Sequence, residues 1–402
     1  QWNQNYLKIA QKTNSPLLPV HIGGRNSMLF YTSSLLYRPL STIQLANEMF
    51  RQKNRKIPMQ VGQAIPIQEL AKLPLSDKEK NKLVKRHLYR IAKGKKPLLK
   101  TEKTVEHPQN RQLIKNELKQ AEHLGSTKDN KQIYLFDYDP MSVTIKEIGR
   151  LREIAFRKVG EGTGERSDLD KFDQHYRHLI LWDEDELEIV GAYRIGEVAR
   201  YMKEDKPNRI YSADLFQYSC DMEPYFEQGI ELGRSFIQPK YWGKRSLDYL
   251  WYGIGAYLDK HPDIRYMFGP VSLSNSYPTV AKDFIVSFYK LYFSDNEHLA
   301  RSFTPYQINS EHAEIISRIF SGDNYDEDFK ILKEQLSHFG ASIPTLFKQY
   351  SELCEPGGVR FLDFGVDADF GYCVDGLVLV DLETIKETKN KRYRGNNDIK
   401  TL

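Results

Sequence analysis

The stretch Ile230-Glu231-Leu232-Gly233-Arg234-Ser235-Phe236-Ile237-Gln238-Pro239 decides how this chain is read. Its apolar residues and closing Pro predict a buried strand, yet it carries two opposite charges. Glu231 and Arg234 are three positions apart, so in a regular strand they point to opposite faces. A bulge near Gly233 changes that. Buried charges are costly unless paired or used. Two readings follow: a structural ion pair, or groups that bind and activate a substrate. Charges upstream favour the second.

The chain has 402 residues, enough for two domains or for one large domain with an appendage. Hydrophobic content of 40% and aromatic content of 12% fill a sizeable core, so the chain is globular. Cys220, Cys354 and Cys373 have no metal-ligand spacing and read as small core residues of a reducing compartment. No run of about eighteen apolar residues is present, and no signal peptide. The first residue is Gln and the opening resembles the middle of a domain, which predicts a fragment or processed product. Net charge is +4 but uneven: Ala71 to Gln120 holds 15 Lys or Arg against 5 Asp or Glu. Such a segment suits anionic lipid, an acidic carrier protein or plain solvent. No nucleic-acid motif accompanies it, so nucleic acid is not an expected partner.

In chain order, Leu17–Ile22 and Ile57–Gly62 read as strands and Ser41–Phe50 as a helix. Pro19-Val20-His21-Ile22, Gly24-Arg25-Asn26-Ser27 and Val61-Gly62-Gln63-Ala64-Ile65-Pro66 together resemble the C-terminal portion of the glycerolipid (lysophosphatidate-type) acyltransferase family. That family's reaction uses a His with an Asp five positions on. No such pair exists at His21, His87, His107 or His123, so the resemblance implies a partial α/β remnant over residues 1–70. Residues 71–130 read as a basic helical linker, with Gly125–Asn130 as its end.

From residue 131 the pattern changes. Gln132–Phe136 predicts a strand, and Thr144 with Glu147 a capping box before a helix carrying Ile145, Ile148, Leu151 and Ala155. Arg152 and Phe156 lie one turn apart on it, and Gly160–Glu165 reads as a mobile loop. Asp168, Asp170 and Asp173 crowd the next turn, which lacks the Gly and distal Glu of a calcium loop; no metal is expected. Arg194 sits inside a strand. Trp242, Gly243, Lys244 and Arg245 lead from the Glu231 strand into a helix. Residues 294–342 read as a polar helical insertion, Gly376–Leu382 as a final strand and 386–402 as a tail.

Arg152-x3-Phe156, Asp170-x2-Asp173, Arg194 and Glu231-x2-Arg234, in this order, resemble the acyl-homoserine-lactone synthases and their ornithine-lipid (hemolysin-like) N-acyltransferase relatives, both variants of the GNAT fold. Leu250-Trp251, Ile343-Pro344-x-Leu346 and Val366-Asp367-x-Asp369-Phe370 continue the pattern. The resemblance implies an α/β fold, a GNAT-like mixed bent central sheet flanked by helices, over residues 131–385. It implies an N-acyltransferase that moves a long-chain, 3-hydroxy acyl group from acyl carrier protein to an amino acid, giving a lyso-aminolipid of ornithine or glycine type. In that reading Glu231 is the base, directly or through water, and a backbone amide near Arg234–Phe236 polarises the carbonyl. Asp170 and Asp173 orient the amine or brace Arg152 and Arg194; Arg194 or Arg234 forks the substrate carboxylate, with Phe156, Asp168 and Ser235 beside them. Trp242, Gly243, Lys244 and Arg245 bind the donor. Only one Gly remains in that turn, which favours carrier protein over acyl-CoA as donor; no cofactor is bound. The implied location is cytoplasmic, peripheral on the anionic inner face of the membrane. The alternatives are a membrane-surface binding protein without catalysis and a lactone-forming signal synthase that uses S-adenosylmethionine.

Overall fold

The computed structural model describes residues 2–36, 38–53, 56–204, 206–394 and 399–400. They divide into two compact units, 1–104 and 105–402. The first contains α1 (Asn5–Thr13), β1 (Val20–Ile22), α2 (Met28–Leu36), α3 (Arg38–Arg51), β2 (Met59–Val61), α4 (Ile67–Ala71) and α5 (Asp77–Ile91). β1 and β2 pair antiparallel. Leu7, Ala10, Ile67, Leu70 and Val84 form its small core. Met28, Leu29, Leu35 and Leu36 of α2 stay exposed.

The lysine-rich segment is not one linker. Ser76 and Glu79 close a capping box on α5. Val84 and His87 then turn that helix's apolar side into the first unit, and His87 Nδ1 accepts the amides of Leu98 and Leu99, both at 3.2 Å. The other half belongs to the second unit. There α6 (Arg111–Leu118) leads to β3 (Glu122–Thr127), a hairpin partner of β4 (Lys131–Phe136). Asn130, left-handed at φ 60, turns the chain where a linker was expected. The expected boundary near residue 130 therefore falls at 104/105.

The second unit continues with α7 (Val143–Val159), β5 (Arg177–Asp183), β6 (Glu188–Gly196), α8 (Val198–Lys203), β7 (Phe216–Tyr218), α9 (Glu223–Glu227) and β8 (Gly229–Ile237). Then come α10 (Ser246–Lys260), β9 (Tyr266–Leu273), α11 (Thr279–Tyr292), β10 (Ala300–Ser302), α12 (Ser310–Ile319), α13 (Tyr325–His338) and α14 (Thr345–Ser351). β11 (Val359–Asp367), β12 (Cys373–Asp381), α15 (Glu387–Tyr393) and β13 (Ile399–Lys400) close the order. Nine strands form one sheet in the order β11-β12-β9-β8-β6-β5-β4-β3-β13, antiparallel except where β8 meets β9. The region expected to be a tail is tied down: Tyr393 packs on Trp251 and Tyr252, and β13 pairs with β3.

Alternation along β5 sets the layers. Leu179 and Leu181 face the layer of Leu250 and Ile254 on α10, while Ile180 and Trp182 face Ile148, Leu151 and Phe156 on α7. The N-cap of α7 is Ser142, not Thr144. Its Oγ accepts the amides of Thr144 and Ile145, and Glu117 reaches in from α6 to accept the Ser142 hydroxyl at 2.6 Å. Glu147 is turned instead to Gln109 and Arg150. Among the described residues, no helix is long and apolar enough to cross a membrane.

Two departures from regular sheet shape the site. Between Ala192↔Phe236 and Arg194↔Gly233 the β6–β8 register shifts, so Arg234 and Ser235 bulge opposite Tyr193. And β8 pairs with β9 only from Gly229↔Tyr266 to Glu231↔Phe268. Beyond that point the strands part. At the fork Gly269 has φ 152, and a Cβ there would stand 2.0 Å from the Leu232 carbonyl oxygen. Gly269→Ala is expected to destabilise the fold by about 2 kcal/mol or more, since neither backbone can yield. Urea unfolding checks this; wild-type stability would show that the close approach is not required.

Candidate active site

Two cavities flank the β8 bulge. One, of about 540 Å³, lies in the fork between β8 and β9, with Ser235, Phe236 and Ile237 on one side and Ser272 on the other. Phe156 and Val159 of α7, Glu161, and Trp242, Gly243 and Lys244 complete its walls. The other, of about 640 Å³, has Asp168, Asp170, Tyr211, Arg234, Asp369 and Phe370 among its walls. Phe156 and Phe370 meet edge to face at 4.9 Å and so join the two cavity walls.

The expected charged residues do assemble. Arg152 donates to Asp173 at 2.9 Å and to the Asp168 carbonyl at 3.2 Å. Arg194 donates to Asp170 at 2.7 Å and lies 3.5 Å from Asp173. Arg234 bonds Asp170 at 3.4 Å, lies 3.6 Å from Asp168, and spreads over the rings of Tyr211 and Phe370. Arg152, Arg194 and Asp173 are fully buried behind the cavity, whereas the side chains of Arg234 and Asp170 keep 11% and 23% of their surface. Of the three arginines, Arg234 alone lines the second cavity, beside Asp168 and Asp170. Burial pushes the Asp173 carboxyl up, but Arg152 and Arg194 outweigh it and hold the carboxyl well below the usual range. Burial dominates at Asp168 and raises it.

Glu231 is placed differently from the expectation. One carboxylate oxygen accepts the Ser212 amide at 2.8 Å, and the other accepts the Tyr211 amide at 2.9 Å and the Tyr176 hydroxyl. The residue is buried and lines neither cavity. Burial raises its pKa against the pull of these bonds. Its visible effect is to pin the loop at Tyr211, whose ring and neighbours Ala213 to Leu215 wall the second cavity.

Trp242, Gly243 and Lys244 line the fork, but Arg245, also expected to bind the donor, turns back to Tyr252 at 2.9 Å and to Asp248 at 3.5 Å. Among the described residues, the N-cap Arg245 makes no side-chain cap hydrogen bond to α10, whose first residue, Ser246, lines the fork with Gly243. The loop after α7 is not loose: Glu153 accepts the Thr163 hydroxyl at 2.8 Å and the Gly164 amide at 2.9 Å. Sequence reasoning did not single out Tyr176, Tyr211, Ser272, Glu161 or Asp375. Their signal is three-dimensional, since each comes from a different element.

Residues 151–252 match the model of the acetyltransferase (GNAT) domain. A glycine N(alpha)-acyltransferase of Bacteroides thetaiotaomicron is 34% identical over 71% of this chain and 88% of its own length. A second, from Phocaeicola vulgatus, is 31% identical over 71% of this chain and 91% of its own. An L-ornithine N(alpha)-acyltransferase of Brucella abortus is 33% identical over 31% of this chain and 46% of its own. A solved CoA-dependent acyl-homoserine lactone synthase overlaps 58% of this chain and 75% of its own, at 11% identity and a TM-score of 0.25.

Asp173→Asn leaves Arg152 and Arg194 short of a buried counter-charge and is expected to cost about 3–5 kcal/mol. Because the folded carboxyl titrates below its unfolded value, this stability is present above about pH 4 and is lost as pH falls below it. Unfolding curves from pH 7 down to 2 should therefore converge for wild type and variant; parallel curves would refute the pairing.

Proposed function

The chain belongs to the GNAT-fold family of N-acyltransferases that includes the glycine and ornithine Nα-acyltransferases, and we propose that it transfers a long-chain, 3-hydroxy acyl group from a phosphopantetheine thioester of acyl carrier protein to the amino group of glycine. The observation that carries this is the fork between β8 and β9, an apolar-sided slot beside a second, charged cavity. The acyl chain lies against Phe156, Val159, Phe236 and Leu346. The phosphate of the donor arm meets Lys244 and the first amides of α10. Strand β8, free of β9 beyond Glu231, offers a backbone amide near Ser235 to the thioester oxygen. The single Gly in the turn before α10 supports carrier protein over free acyl-CoA.

The acceptor enters the charged cavity. Its carboxylate lies on Arg234, since Arg194 is wholly buried, and its amino group points past the Phe156–Phe370 contact into the fork. Glu231 acts as a positioning residue that holds the Tyr211 loop. The amine nitrogen attacks the thioester carbon, the N–C bond forms and the C–S bond breaks; no cysteine takes part. Two relatives named for glycine that this chain covers almost end to end support glycine over ornithine. In the first unit, the exposed apolar residues of α2 and the lysines of α5 support contact with an anionic membrane face, in a partial glycerolipid-acyltransferase remnant.

Incubating the chain with 3-hydroxypalmitoyl carrier protein and all common amino acids is expected to yield N-acylglycine by mass spectrometry. Arg234→Lys should raise KM for glycine by about 10-fold or more, through loss of a charged fork. No N-acyl product from either the carrier-protein or the CoA thioester would refute the assignment.

A further inference from the structure

The amine that attacks must first lose a proton, and Glu231 has both oxygens engaged away from the cavities. Another carboxylate stands in the donor fork. Helix α7 ends at Gly160, left-handed at φ 84, with the Gly160 amide on the Arg157 carbonyl and the Glu161 amide on the Phe156 carbonyl. This is the paired-bond stop that reverses a helix, and it fixes the direction of the next side chain. The turn at Gly371 closes over it: a Cβ there would lie 2.4 Å from the Gly160 oxygen and 3.1 Å from the Glu161 Cα. Glu161 lines the fork together with Ser235 and Lys244.

Its surroundings are built for a carboxylate that holds a proton. Ser272 lines the same cavity, and its hydroxyl pulls the Glu161 carboxyl down against the effect of burial. Asp375 is the directly opposed partner of Ser272 in the β12–β9 pair, so both side chains leave the sheet on one face. Asp375 also feels the charges of Asp367 on β11 and Arg234 on β8, and the Cys373 thiol lies 3.5 Å from its carboxylate. Burial, then the charge of Asp375, pushes Glu161 up to about 8; burial, then Asp367, pushes Asp375 up to about 7.

Resting on the acyltransferase reading above, we propose that Glu161 is the proton acceptor of the transfer, with Asp375 and Ser272 as its positioning partners. The bound ammonium gives one proton to the Glu161 carboxylate. The freed amine attacks the thioester carbon, the N–C bond forms and the C–S bond breaks. The nitrogen's second proton passes to the departing thiolate, and Glu161 returns its proton to solvent. Thioester and ammonium thus become amide, thiol and one released proton.

The test is steady-state kinetics of wild type, Glu161→Gln and Asp375→Asn from pH 6 to 10 (the whole chain, saturating donor). Glu161→Gln should lower kcat about 10²–10³-fold with KM for the donor and melting temperature near wild type. Asp375→Asn removes a like charge, so the acid limb of kcat should move about one pH unit lower. Wild-type kcat in Glu161→Gln, or an unmoved limb in Asp375→Asn, overturns the assignment while an active wild type keeps the function. A wild type that makes no N-acyl amino acid overturns both.

Discussion

Arg234 carries the constraint on which the site depends. It is a long, charged residue in the left-handed region at φ 48, inside a buried strand. Such a conformation costs about 1–3 kcal/mol and persists only where the surroundings over-determine it. Here they do: Asp168 and Asp170 take the guanidinium, and the rings of Tyr211 and Phe370 sandwich it. The bulge they hold turns one strand toward two cavities. Ser235 and Phe236 line the β8–β9 fork, and Arg234 lines the second, charged cavity. The bulge leaves Arg234 and Ser235 together opposite Tyr193, and these two consecutive residues line the two cavities.

The remaining charges stiffen that arrangement more than they touch a ligand. Three arginines, Arg152, Arg194 and Arg234, face three aspartates, Asp168, Asp170 and Asp173. A balanced buried network is tolerable where a lone buried charge is not. Glu231 belongs to a second network with Tyr176 and the Tyr211–Ser212 amides, which joins β8 to the loop walling the charged cavity. Function is therefore concentrated in the few members that keep some exposure. The deeply buried members set their geometry.

Much of this was legible in the sequence, for one physical reason. A charge inside an apolar pattern must be paired, so Arg152, Asp173, Arg194, Glu231 and Arg234 stand out and do assemble. What each does was not legible. Burial depth, which separates Arg234 from Arg194, and the three donors around Glu231 come from the packing of distant segments. Glu161 was hidden in a Gly-rich turn that reads as loose, and its partners lie on β9 and β12. Strand β11 was missed because a bulge between Phe361 and Asp363 breaks its alternation. Strand β4 was legible, but its hairpin partner β3 and the docked α15 were not, because their short polar segments are held by tertiary contacts.

The central claim is that the thioester lies in the β8–β9 fork with its oxygen toward the bulge. A crystal structure with a non-hydrolysable acyl-pantetheine ketone tests it most directly. The account predicts the ketone carbon between Ser235 and Ser272, its oxygen within hydrogen-bond distance of a β8 backbone amide, and the chain along Phe156 and Phe236. Electron density for the ligand anywhere else, such as the surface cleft beside Arg265 and Arg360, would contradict it.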